Sequence, residues 1–181
     1  MKKKFVYVDN SNLLYGGRSA AELSDWSPDY NALRRLLCGE EEIVCPRPKI
    51  FGSFNNVAKF KSIIEGAGCK LIGYEKNNGN EDATYISKEK KVDVAIAHQI
   101  TKDAYSGKIN REAGDEIVLV SGDRDFVPVV EDLVEECFIV RLYSWEKTIA
   151  WELKNACSQF LTLNKYLDQL NCKTCGSSFP H

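Results

Sequence analysis

The chain has 181 residues, and its 24 Lys+Arg against 26 Asp+Glu give a formal net charge of −2. That length suits one compact domain, and a composition of 44% apolar and 28% charged residues excludes a disordered or fibrous chain. Near-neutrality excludes a histone-like polycation whose whole surface neutralises nucleic acid, but it leaves room for a local basic strip.

The opening residues, Met1 to Val8, imitate a signal peptide, yet Asp9 and Asn10 interrupt the apolar run too early for one. No apolar run approaches the ~20 residues a membrane helix needs. The seven cysteines are an odd number, and Cys69, Cys137 and Cys157 sit in apolar segments. This pattern suits buried thiols in a reducing cytosol better than a disulfide framework. A cytoplasmic protein without a membrane segment is the expectation.

In chain order, Phe5-Val6-Tyr7-Val8 is a β-rich run ended by the polar cluster Asp9-Asn10-Ser11-Asn12. Ser27-Pro28 predicts a helix start, with Ser as N-cap and Pro at the first helical position. Tyr30, Leu33, Leu36 and Leu37 supply that helix's apolar face, and Gly39 its end. Lys49 to Phe54 reads as a second strand, Val57 to Ile64 as an amphipathic helix, and Lys70 to Tyr74 as a third strand. The polar stretch from Lys76 to Glu81 reads as a flexible loop. The spacing of Val92, Ala95, Ile96, Ile100 and Ala104 predicts another helix, beginning near Lys91.

Glu116 to Val120 is the clearest strand, a continuous apolar run of the kind buried on both faces of a parallel sheet. A helix follows over Val129 to Leu133, then a fifth strand over Phe138 to Tyr143, then a helix marked by Ile149, Leu153 and Ala156. Strands alternating with helices imply right-handed crossovers and an α/β fold, a three-layer α/β/α (Rossmannoid) arrangement with a central parallel sheet of about five strands. Residues 1–163 are read as the domain and residues 164–181 as a C-terminal tail.

Two strands end in carboxylates, Asp9 after the first, and Asp123 with Asp125 after the fourth. Sites of open α/β sheets lie beyond the carboxyl ends of strands where strand order reverses. A 3-2-1-4-5 order makes strands one and four neighbours there, so Asp9 and Asp123 would face one another. Asp93, read as lying in the first turn of its helix, is a third candidate. Like charges held close together call for a cation or a proton, and hard oxygen ligands suit Mg²⁺ or Mn²⁺. Such a metal activates water for attack on phosphorus, with no Ser, Cys or His nucleophile. Each carboxylate also has a structural use: Asp9 in an Asx turn, Asp123 or Asp125 as helix caps with Ser121 helping, and Asp93 complementing a helix dipole.

Three blocks in order carry a family resemblance. Val6-Tyr7-Val8-Asp9-Asn10-Ser11-Asn12-Leu13 resembles the opening signature of the NYN family, a branch of the PIN-like nucleases. Lys91-Val92-Asp93-Val94-Ala95-Ile96-Ala97 resembles that family's middle segment, and Leu119 to Pro128, with Ser121-Gly122-Asp123-Arg124-Asp125-Phe126, its most specific turn. The resemblance spans roughly residues 4 to 163 and implies a PIN-like fold, an acidic metal cleft and ribonuclease activity. It implies Asp9, Asp93 and Asp123 as metal-binding catalytic residues, Asp125 as a fourth catalytic carboxylate, and Asn12 as a group that orients a carboxylate or contacts phosphate. Asn10 and Ser11 occupy variable positions, and Asn10, Ser121, Arg124 and Lys91 join Asn12 as candidate substrate contacts. Where the family commonly carries a further Asp, this chain has Gln99, which opens the alternative of an RNA-binding or regulatory domain with an impaired site.

A substrate of single-stranded or structured RNA needs cations near the cleft. Lys88, Lys90 and Lys91 precede Asp93, and Arg124 lies between two acids of the turn, beside Ser121. Lys59 and Lys61 fall on the helix after the second strand. Tyr15 and Tyr85 are candidates for stacking unpaired bases, whereas Trp26, Trp145 and Trp151 read as core or cap residues. At the C-terminus, Cys172 and Cys175 form half of a zinc ribbon. A Zn²⁺ site needs four ligands, and only His181 follows; Cys38 and Cys45 or a second subunit could complete it. The favoured reading of this tail is a flexible segment or the start of a longer element. A phosphatase of the haloacid-dehalogenase type or a receiver domain fits worse, because position 11 is Ser and Asp9 stands alone.

Overall fold

The structure is a computed structural model that describes residues 1–39, 44–75 and 81–172, the side chains of 75 and 81–90 excepted. Its strands are β1 (Lys4–Asp9), β2 (Lys49–Phe54), β3 (Lys70–Glu75), β4 (Glu116–Val120), β5 (Ile139–Ser144) and β6 (Gln159–Thr162). Between and around them run helices α1 (Asn10–Ala21), α2 (Tyr30–Cys38), α3 (Val57–Gly66), α4 (Glu81–Tyr105), α5 (Val127–Glu135) and α6 (Trp151–Ala156). All six strands pair in parallel in the order β3-β2-β1-β4-β5-β6. The order reverses between β1 and β4, as the sequence predicts. The sheet has six strands rather than about five because β6, four residues long, adds beside β5.

Side chains alternate across the sheet and divide the core into two layers. Val6 and Val8 of β1 face a cluster with Trp26, Leu33, Ile50, Val118 and Val120, covered by α1, α2 and α3. Phe5 and Tyr7 face the opposite cluster with Ile96, Ile100, Ile117, Leu119, Val130 and Leu142, covered by α4, α5 and α6. β1 and β4 are buried along their whole length, which accounts for their unbroken apolar runs.

Three helices differ from the sequence reading. α1 follows β1 directly, where only a polar cluster is legible, because Gly16 and Gly17 depress its helical signal. Both glycines are required, since a Cβ on Gly16 would collide with the Trp145 ring and one on Gly17 with the Trp26 ring. α2 starts at Tyr30 with Asp29 as N-cap, its carboxylate accepting from the amides of Asn31 (2.8 Å) and Ala32 (3.1 Å). Ser27 and Pro28 instead form a short antiparallel bridge with Asn171 and Cys172. α4 begins ten residues before Lys91 and is 25 residues long, so Asp93 lies near its middle and not in its first turn. Residues 76–80 of the expected loop lie outside the described residues.

Cys38 and Cys45 are joined as a disulfide, and of the three cysteines expected to be buried thiols only Cys69 is buried, Cys157 being half-buried and Cys137, at a turn, exposed. Packing also continues past Leu163: Leu170 is buried in the α1–α3 layer, and Tyr166 and Leu167 pack against it. Cys172 donates its amide to Ser27 O at 2.9 Å, near the start of α2. Cys38 ends that nine-residue helix, roughly 13 Å further along, so Cys172 is separated from the Cys38–Cys45 pair by the length of α2. Cys175 and His181 lie outside the described residues. Among the described residues, no helix is long and apolar enough to cross a membrane.

Candidate active site

The β1–β4 reversal places Asp9 level with Ser121, because Val8 is in register with Val120. Asp9 is 3% exposed and serves as N-cap of α1, with Oδ1 accepting from the Asn12 amide at 3.1 Å. Its Oδ2 accepts from Ser121 Oγ–H at 3.1 Å. Ser121 Oγ accepts in turn from the Asp123 amide at 3.2 Å, and Asp123 Oδ1 from the Asp125 amide at 2.9 Å. The capping uses therefore hold for Asp9 and Asp123, and they orient both carboxylates at the turn.

Asn12 locks the second side of this turn, its Oδ1 accepting from the Gly122 amide at 2.9 Å. Gly122 leaves no space for a larger residue: a Cβ there would stand 2.7 Å from Thr148 O and 2.8 Å from Ser144 Oγ. Burial raises the Asp9 carboxyl pKa above the ordinary carboxylate range. Hydrogen bonds from Asn12 and Ser121 oppose that rise, and the negative charge of Asp123 adds to it. Asp9 and Asp123 are thus close enough to interact electrostatically.

Asp9 and Asp123 line a cleft of about 820 Å³ together with Asp93 from α4, so the three strand-end and helix acids share one cavity. Ser11, Asn12 and Tyr15 of α1 form one side. The opposite wall is the segment from Lys147 to Glu152, after β5. Sequence reasoning missed this wall. The usable signal was its position beyond the carboxyl end of a strand next to the reversal. Trp26 and Trp145 are core residues, as expected, but Trp151 is 69% exposed and faces the cleft.

The other candidates separate clearly. Asp125 is exposed and lines an adjoining pocket of about 420 Å³ with Asp93, Val94, Ala97, Arg124 and Pro128. Arg124 reaches both pockets and is ion-paired with Glu152. Asn10 is buried, its Oδ1 accepting from Tyr30 Oη–H at 2.6 Å, so it holds α1 against α2 instead of facing the cleft. Lys91 is exposed on α4 outside the cleft lining, and Lys59 and Lys61 lie on α3, also outside it. The side chains of Tyr85, Lys88 and Lys90 lie outside the described residues. Gln99 donates to Asp103 Oδ1 at 3.1 Å and does not line the cleft.

Among the described residues, no group of three acidic, His or Cys side chains converges tightly enough to hold a metal ion. The donor set nonetheless fits a hard divalent cation that keeps several waters. Four carboxylates line the cleft, Asp9, Asp93, Asp123 and the Arg124-paired Glu152, and the buried Asp9 carries an electrostatic cost that a cation would relieve.

Residues 3–164 match the NYN domain family. A crystal structure of a protein of unknown function from Vibrio parahaemolyticus is similar in fold, with a TM-score of 0.68 and 20% identity over 94% of this chain and 96% of that one. No curated protein matches the chain.

Proposed function

Since the chain belongs to the NYN domain family, whose members are nuclease-like hydrolases, we propose that it is a metal-dependent endoribonuclease acting through the Asp9–Asp93–Asp123 cleft. The observation that carries this reading is the buried Asp9 carboxylate beside Asp123 at the β1–β4 reversal, with Asp93 on the same cavity. In this reading Asp9, Asp93 and Asp123 hold Mg²⁺ or Mn²⁺. A cation there would neutralise charge on a phosphodiester and lower the pKa of water.

The protein's own groups set the geometry. Ser121 fixes Asp9 Oδ2, and the Asp9 cap on Asn12 fixes Oδ1, so the carboxylate cannot rotate away. Asn12 acts on the substrate side only indirectly, by holding the Gly122 turn. In this reading the exposed Arg124 exchanges its half-buried Glu152 partner for a phosphate, and Asp125 stands over the adjoining pocket as a further carboxylate.

Cleavage of labelled single-stranded and structured RNA, with Mg²⁺, Mn²⁺ or EDTA, tests this. Activity with either metal, its loss in EDTA, and a drop of at least about 100-fold in Asp123→Asn are expected, by analogy with removal of a single charge-stabilising group. Metal-independent cleavage, or unchanged activity in the variant, would sink the mechanism. Binding without cleavage in every metal would favour an RNA-binding domain. The motive for that alternative, Gln99, lies away from the cleft lining, so the acid set there is not depleted by it.

A further inference from the structure

We infer that the cleft takes an unpaired nucleic-acid strand, with one base stacked on Trp151. This rests on the nuclease reading for its substrate class but not for its test. Of the three tryptophans in the chain, Trp26 and Trp145 are 1% exposed and meet edge to face at 5.5 Å in the core. Trp151 is 69% exposed, yet it lines the acid cleft, with Tyr15 at 47% exposure on the same cavity. A large aromatic face left in water has unused apolar area, and a planar base covers it without requiring any particular sequence.

The cations around this face match a strand's backbone. Arg124 and Lys147 both line the cleft, and each is paired with a carboxylate, Arg124 with Glu152 and Lys147 with Glu22 (3.1 Å). These pairs are at the surface, where ion pairs contribute little net stability. Phosphates can therefore replace the carboxylates at small cost, whereas a deeply buried pair would resist. A duplex keeps its bases stacked and paired, so none is available to Trp151. The site accordingly selects single strands or unpaired loops.

The full chain carrying Asp123→Asn, and separately the unaltered chain in EDTA, would be titrated with a short single-stranded oligouridylate and with a duplex RNA of equal length. Tryptophan fluorescence and fluorescence anisotropy of labelled RNA would both be read. Single-strand binding is expected to change tryptophan emission and to exceed duplex binding. Trp151→Ala should weaken it by about tenfold or more and remove the emission change, while Trp151→Phe should keep most affinity and lose only the emission change. Trp151 is exposed, so a far-ultraviolet circular dichroism spectrum unchanged from the parent is expected for both variants. Equal binding of duplex, unchanged affinity in Trp151→Ala, or no binding at all would overturn the inference. Single-strand binding with this signature, together with no cleavage by the unaltered chain in Mg²⁺ or Mn²⁺, would instead overturn only the nuclease reading.

Discussion

Asp9 carries two demands that pull in opposite directions. As a cap it is satisfied by Asn12 and Ser121, but its burial raises the carboxyl pKa and the charge of Asp123 raises it further. A folded-state pKa above the unfolded value means that the native state binds the extra proton. The stability contribution is then complete below the unfolded pKa and is lost as pH rises through the raised value. At neutral pH without divalent cation, the ionised carboxylate is a net cost. Asp9→Asn keeps a cap acceptor and removes that charge. It should raise the melting temperature in EDTA by about 2–4 °C, corresponding to about 1 kcal/mol for a chain of this size, while abolishing RNA cleavage. A melting temperature below that of the parent protein would show that the charge itself holds the turn. At this scale the sequence was informative about the acids, because strand ends and Asp residues coincide. It misread Trp151 as a core or cap residue, because its neighbours Ile149 and Leu153 read as an ordinary amphipathic helix.

At the scale of elements, α4 is anchored by one carboxylate. Asp103 is buried and accepts from Tyr7 Oη–H of β1 at 2.7 Å, from Lys108 Nζ at 3.0 Å, from Gln99 at 3.1 Å, and from Lys49 at the start of β2. This network ties the helix that carries Asp93 to β1 and β2. The hydrogen bonds and the Lys49 charge outweigh burial and hold the Asp103 carboxyl down at about 2. Burial pushes the Lys49 ammonium down despite its partner, so part of the gain is returned. A depressed carboxyl pKa contributes stability above the unfolded value of about 3.9, and that contribution is lost as pH falls toward the folded value. Asp103→Asn should therefore unfold less steeply with acid than the parent between pH 4 and 2, and Asp103→Ala should lose about 2–4 kcal/mol at neutral pH, since it leaves Tyr7 and Lys49 buried without their acceptor. Urea denaturation followed across pH checks both. An acid limb that is identical in parent and Asp103→Asn would mean the network contributes nothing net.

At the scale of the whole molecule, packing continues past residue 163. Leu170 is 1% exposed, and backbone hydrogen bonds join Leu170 O to the Asp29 amide at 2.8 Å and Ser27 O to the Cys172 amide at 2.9 Å. The segment after β6 thus covers the start of α2 and the layer around Trp26. Truncation after Leu163 should lower the thermal midpoint by several degrees relative to truncation after Cys172, because burying one Leu side chain alone contributes about 1.5–3 kcal/mol. Equal midpoints for the two truncations would place the domain's end at the earlier position.

The sequence by itself determined the α/β alternation, the buried runs of β1 and β4, and the acids at their carboxyl ends. These depend on local periodicity and on residue chemistry, which neighbouring residues report directly. Only the tertiary structure decided that Gly16 and Gly17 belong to a helix, since their use is to admit tryptophan rings from elsewhere in the chain. Only it set Asp93 in mid-helix, made Gln99 a partner of Asp103, and turned Trp151 toward the cleft. The physical reason is the same in each case. A side chain's partner across the sheet or cleft is set by packing between segments distant in the chain, and no local pattern encodes which way it will face.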